Sequence, residues 1–127
     1  MRLLPDPRWA YFLDVDGTLI DLVPHPADAR PSPTARRLLE ALHRRAAGAL
    51  ALISGRSLDQ LDAILPGFRP AAAGLHGLER RDAAGRRAEV PGSTADLDPV
   101  RPPLEAACRR HPGLLLEDKG RTLALHY

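Results

Sequence analysis

The sequence predicts an α/β fold, a parallel sheet with flanking helices, and three observations carry that expectation. Short uncharged apolar runs recur at residues 9–13, 49–53 and 71–75. Between them lie segments whose leucines recur at helical spacing. Each apolar run also ends on a polar residue, Asp14, Ser54 or His76. Strand, helix, strand, helix, strand is the pattern of an open parallel sheet, and ligands bind such sheets at the carboxyl ends of the strands.

The first run, Trp9 to Leu13, is continuously apolar, as expected of a strand buried on both faces. Residues 24–33 carry four prolines and predict an irregular surface segment. Ser32 or Thr34 then caps a helix whose apolar stripe is Leu38, Leu39 and Leu42, stopped by Gly48. Residues 49–53 form the second strand and deliver Ser54-Gly55-Arg56. Ser57 caps a second helix with Leu58, Leu61, Ile64 and Leu65 on one side, broken by Pro66-Gly67. The third strand leads to His76-Gly77.

Beyond this point the texture changes. Residues 78–81 and 86–90 flank Asp82-Ala83-Ala84-Gly85, a hairpin turn, and residues 91–94 resemble a linker. A helix around Leu104 to Arg110, opened by Pro102-Pro103, precedes two apolar pieces, residues 113–117 and 122–127. Asp118-Lys119-Gly120-Arg121 reads as a tight turn between them. The expected division is a unit at 1–90 and another at 91–127, the second ending inside a strand as though truncated.

Asp14-Val15-Asp16-Gly17-Thr18 follows the first strand directly. In extended chain, side chains two apart share a side, so Asp14 and Asp16 converge. Two carboxylates beside a backbone carbonyl form a hard oxygen site suited to Mg²⁺. Such an ion keeps a carboxylate charged and offsets its repulsion from a phosphate dianion. Asp14 can then attack phosphorus, and Asp16 can protonate the leaving oxygen and later activate water. Gly17 permits close approach, and the Thr18 hydroxyl can hold a phosphate oxygen.

The order D-x-D-G-T-L resembles the first motif of the haloacid dehalogenase superfamily. The resemblance implies a Rossmann-like core, Asp14 as nucleophile and Asp16 as general acid/base, with both on Mg²⁺, Asp16 through its main-chain carbonyl. It makes Ser54 the second motif, a neutral hydroxyl able to hydrogen-bond the phosphoryl group. Gly55 and Arg56 complete that substrate-binding turn. Arg56 suits a phosphate or an acid at a helix start equally well.

Together, Asp14 to Leu19, His25-Pro26, Pro31, Leu38-Leu39, residues 49–56 and 73–81 are similar to the bacterial trehalose-phosphatase family. Residues 116–120 and 123–127 resemble the start of that family's small α+β cap. The resemblance implies hydrolysis of trehalose 6-phosphate to trehalose, with residues 1–90 as part of the core and residues 91–127 as the beginning of the cap. It also implies that Glu117 and Lys119 grip sugar hydroxyls; read by themselves, the two form a salt-bridged turn. His76 reads as structural, because the superfamily chemistry does not require it.

Composition excludes other classes. The net charge is +2, the arginines lie in scattered pairs, and aromatics are 4%, so no basic stripe or stacking platform for nucleic acid is expected. No apolar run reaches membrane-spanning length, and the N-terminus lacks a signal-peptide pattern. One cysteine, Cys108, excludes an internal disulfide, suits a cytoplasmic protein and reads as a core thiol. The expected partner is a small sugar phosphate, and no feature sets an oligomeric state. A third-motif Lys and an acidic metal-binding pair have no match, so residues 1–127 alone are expected to be inactive. The alternatives are a phosphatase for sucrose phosphate or mannosyl-3-phosphoglycerate, and a non-catalytic fragment.

Overall fold

The computed structural model describes residues 6, 8–21, 23, 29–92 and 94–127, with the side chains of 94 and 95 excepted. His25, Pro26 and half of the proline-rich stretch, residues 24–28, lie outside them. The chain divides into two compact units, Met1–Val90 and Pro91–Tyr127.

In the first unit, strand β1 (Tyr11–Asp14) leads to helix α1 (Pro33–Arg45), β2 (Leu50–Ile53), α2 (Leu58–Ile64) and β3 (Ala71–Gly74). The three strands are parallel, with Asp14 beside Ile53 and Ile53 beside Ala73. A 3₁₀ turn (Leu75–Gly77) then reverses the chain into β4 (Glu79–Arg81) and β5 (Arg87–Glu89), which add antiparallel strands at the far side. The sheet order is β1-β2-β3-β4-β5, so β1 is an edge of the described sheet.

Both helices are specified at their starts. Ser32 caps α1, its hydroxyl accepting from Ala35 N at 3.1 Å, and Pro33 stands where no intrahelical N–H partner exists. Ser57 and Gln60 form a reciprocal capping box on α2, with bonds of 3.1 and 2.8 Å. His43, Arg44 and Arg45 place basic side chains in the last turn of α1, where the helix dipole favours them.

The core fixes which face of the sheet these helices cover. Leu50, Leu52 and Ala72 share one buried cluster with Leu39 of α1 and Leu58, Leu61 and Ile64 of α2, so both helices lie on the same face. The opposite face is open: Phe12 is 71% exposed and Ile53 40%. The expectation of strands buried on both faces is therefore corrected. Leu38 is corrected too, being 66% exposed. The stripe of α1 runs through Ala35, Leu39, Leu42 and Ala46, and position 38 lies about 70° around the axis from its centre.

An ion network joins α2 to β4. The Asp62 carboxylate accepts from Arg81 Nη1 at 2.7 Å and Arg87 Nη2 at 3.1 Å, with Arg69 Nε at 3.3 Å. Arg81 Nε donates to Pro70 O at 3.0 Å. At the tip of the β4–β5 hairpin, Asp82 accepts from the N–H groups of Ala84 and Arg86, both at 2.9 Å. The Arg86 guanidinium holds the Asp82 carboxyl below the usual carboxylate range.

The second unit contains a 3₁₀ turn (Thr94–Leu97), helix α3 (Arg101–Arg110) and the antiparallel pair β6 (Leu115–Asp118) and β7 (Leu123–His126). Pro102-Pro103 open α3 as expected. No described residue in this unit is buried, and Cys108 is only half-buried rather than a core thiol. So short a segment has too little surface to enclose a core. No helix among the described residues is long and apolar enough to cross a membrane.

Candidate active site

The site grows out of the carboxyl ends of β1 and β2. Asp14 is the last residue of β1 and is exposed. The loop after it is pinned by one atom: Val15 O accepts from Thr18, Leu19 and Ile20 N–H at 3.3, 2.9 and 3.1 Å. Gly17 N–H donates to Ile20 O at 2.8 Å, with Gly17 at φ +77°. Val15 and Ile20 bury their side chains in the core, 1% and 4% exposed. Apolar anchors thus hold the loop from below while Asp16, Gly17 and Thr18 face outward. Thr18 is exposed beside them.

At the end of β2, Ser54 is buried and its hydroxyl accepts from Arg56 N at 3.0 Å. This bond turns the chain so that the Arg56 side chain, 8% exposed, reaches back to the first loop. Its Nη2 donates to Asp16 Oδ1 at 2.6 Å, and its Nε to both oxygens at 3.1 and 3.0 Å. Of the two roles open to Arg56, the structure shows an acid partner, but one 40 positions away in the chain. A forked guanidinium on a carboxylate is a charge-assisted, oriented contact. The structure therefore brings Asp16, Ser54 and Arg56 together, with Asp14 in register beside Ile53 at the same edge.

The turn after β3 closes the loop from the other side. Leu75 N–H donates to Arg56 O at 2.9 Å and His76 N–H to Ser54 O at 3.2 Å. Gly74 passes so close that a Cβ there would lie 2.8 Å from Arg56 O and 3.0 Å from Leu58 N, both backbone atoms. Only glycine fits. Glu79, which sequence reasoning passed over, accepts from Leu58 N at 2.8 Å and so caps α2 from β4. A lone Glu in a charged strand carries no local signal of that contact.

Two carboxylates and nearby carbonyls form a donor set compatible with Mg²⁺, which is commonly held by one or two carboxylates together with substrate phosphate. Among the described residues there is no group of three or more His, Cys, Asp or Glu side chains arranged to hold a metal.

In the second unit, described by itself, Glu117 and Lys119 share a face of β6 and its turn, with Lys119 Nζ 3.4 Å from Glu117 Oε2. His126 Nε2 meets the same oxygen at 2.9 Å. Sequence reasoning assigned His126 no role; the pairing of Leu115 with His126 puts it on the Glu117 face. Asp118 pairs with Arg101 of α3.

Comparison with known proteins identifies the family. The family model described as Trehalose-phosphatase matches residues 12–127. A probable trehalose-phosphate phosphatase of Sinorhizobium fredii is 43% identical over 120 residues, covering 94% of this chain and 45% of the relative. The trehalose-6-phosphate phosphatase of Escherichia coli is 40% identical over 120 residues, with the same two shares. Among solved structures, the C-terminal domain of the C. albicans trehalose-6-phosphate phosphatase superposes with a TM-score of 0.83 at 24% identity. That match covers 93% of this chain and 42% of the other. The chain spans less than half the length of these proteins. The fold is also similar to that of a haloacid dehalogenase-like hydrolase from B. subtilis, with a TM-score of 0.59 at 18% identity over 77% of this chain and 33% of the other.

Proposed function

Because the chain belongs to the trehalose-phosphatase family, we propose that it carries the nucleophile of a phosphatase converting trehalose 6-phosphate to trehalose and phosphate through an aspartyl-phosphate. The observation that carries the reading is the convergence of Asp16 and Arg56, 2.6 Å apart, at the strand edge that ends in Asp14. Two carboxylates and a guanidinium on adjoining strand tips are what phosphoryl transfer through an aspartate calls for.

In this reading, an Asp14 oxygen attacks phosphorus as the sugar oxygen leaves, and Asp16 gives that oxygen its proton. Asp16 then takes a proton from the water that cleaves the aspartyl-phosphate. The Thr18 and Ser54 hydroxyls and the N–H of Gly55 hold phosphoryl oxygens. Arg56 exchanges its carboxylate partner for phosphate, a move its planar fork suits. Asp14 and Asp16 would hold Mg²⁺, whose charge offsets the repulsion between carboxylate and phosphate dianion. Residues 1–90 belong to the core and residues 91–127 to the cap, where Glu117 and Lys119 contact sugar hydroxyls. The sugar phosphate is the one partner this chemistry needs, with neither nucleic acid nor membrane, and Cys108 suits the reducing cytoplasm.

The test is phosphate release from trehalose 6-phosphate by the intact gene product and its Asp14→Asn variant. Loss of at least about 10³-fold in kcat is expected, since no other group replaces a missing nucleophile. An Asp14→Asn enzyme that turns over at the original rate would end the proposal.

A further inference from the structure

The turn after β3 is strained in a way its own packing does not require. Leu75 and His76 hold left-handed backbone in succession, at φ 47° and 57°. Such conformations are uncommon for residues with a Cβ and persist where the surroundings over-determine them, often at functional sites. Leu75 is 1% exposed and anchors the turn in the interior. His76 is exposed, so burial does not hold it there.

What the strain achieves is contact with the neighbouring loop. The His76 imidazole lies against Gly55, so close that a Cβ at Gly55 would meet its Cε1 at 2.9 Å and its Nε2 at 3.0 Å. The His76 N–H bonds Ser54 O, and the Leu75 N–H bonds Arg56 O. Residues 54–56 are thus held by two backbone hydrogen bonds beneath and a flat ring against the glycine between them. Glycine is the link with the greatest backbone freedom, and a ring against its Cα restricts the torsions that would swing Ser54 and Arg56 apart.

We propose that His76 is a positioning residue, whose ring holds Gly55 so that Ser54 and Arg56 keep a fixed geometry toward the Asp14 loop. The proposal rests on the reading of residues 54–56 as the phosphate-binding turn. His76 acts through that turn, by shape, and not through a proton or a substrate contact. A flat ring of another chemistry therefore serves in its place.

The experiment uses the intact gene product, with variants His76→Ala and His76→Phe made in the native and Ser54→Ala backgrounds. His76→Ala should lower kcat/KM about tenfold, as slight misplacement of a substrate-positioning group does. His76→Phe should recover that loss to within about threefold. In the Ser54→Ala background His76→Ala should cost less than its roughly tenfold in the native background, because part of its effect runs through Ser54 and the two changes are not additive. A His76→Phe enzyme as poor as His76→Ala, an undiminished effect in the Ser54→Ala background, or no effect of His76→Ala overturns the proposal.

Amide hydrogen exchange separates this from the reading beneath it. His76→Ala should speed exchange at Gly55 and Arg56 about tenfold and leave the β2 amides unchanged, and His76→Phe should restore protection. Unchanged exchange at Gly55 and Arg56 defeats the positioning role whatever the enzyme hydrolyses. Rapid turnover by Asp14→Asn defeats the phosphatase reading whatever the amides do.

Discussion

Asp62 is the residue whose removal tests the packing beneath the site most directly. Its side chain is 9% exposed and its main partner, Arg81, is 4% exposed, so this pair is largely out of water. Changing Asp62 to Ala leaves the Arg81 guanidinium buried with Pro70 O, 3.0 Å away, as its remaining acceptor in this network. Breaking a buried pair on one side costs about 3–5 kcal/mol. The Arg69 and Arg87 side chains are 69% and 47% exposed, so solvent screens their contacts with Asp62. Each of those adds no more than about 1 kcal/mol.

Because the Pro70 carbonyl still accepts one bond, the low end applies, and a loss of about 3 kcal/mol is expected. Against a total stability of about 5–15 kcal/mol, that is a large fraction. Urea denaturation of the 127-residue chain, followed by circular dichroism, reads the change in midpoint at constant slope. Replacing both partners, Asp62→Leu with Arg81→Met, should recover to within about 1 kcal/mol of the native chain, because no buried charge of the pair then remains unpaired. A loss below about 1 kcal/mol for Asp62→Ala would mean that water reaches Arg81, and the desolvation argument would be wrong.

Two further outcomes follow from the same structure. Glu79→Ala removes the acceptor of Leu58 N–H while the Ser57–Gln60 box stays, so a loss of about 1 kcal/mol and faster exchange at the Leu58 amide are expected. An unchanged Leu58 amide would show that the contact does not hold in solution. Leu52→Ala, at a residue 0% exposed, should cost about 2–5 kcal/mol, whereas Phe12→Ala, at 71% exposure, should cost less than about 1 kcal/mol. Equal losses in denaturation would contradict the one-sided packing of the sheet.

The elements that could be read in advance are those whose signals are local. Ser32 and Ser57 cap the helices expected of them because capping is decided by a side chain and the N–H groups two or three residues on. The hairpin around Asp82 and Gly85 follows from turn chemistry in the same way. Burial was less legible. The leucines of α2 and those of β2 announced a core, but which side of the sheet it occupied depended on where the helices crossed. Phe12 and Ile53 therefore lie open although their runs look as apolar as any buried strand.

The site divides along the same line. Asp14, Asp16 and Thr18 were visible as a motif because a few consecutive residues place them on one strand tip. The partner of Arg56 was not, since it stands 40 positions away and two roles suited the residue equally. Glu79 and His126 escaped for the same reason, their contacts crossing between strands or from strand to helix, and His76, though visible at the end of the third strand, gave no sign of its contact with Gly55.

The sequence by itself determined the α/β alternation, the caps, the hairpins and the carboxylate pair at the end of the first strand, all governed by interactions within a few residues. Only the tertiary structure decided the open face of the sheet, the grip of Arg56 on Asp16, and the strained turn that lays His76 on Gly55. Those depend on strand order and register, and they bring together residues that the chain keeps far apart.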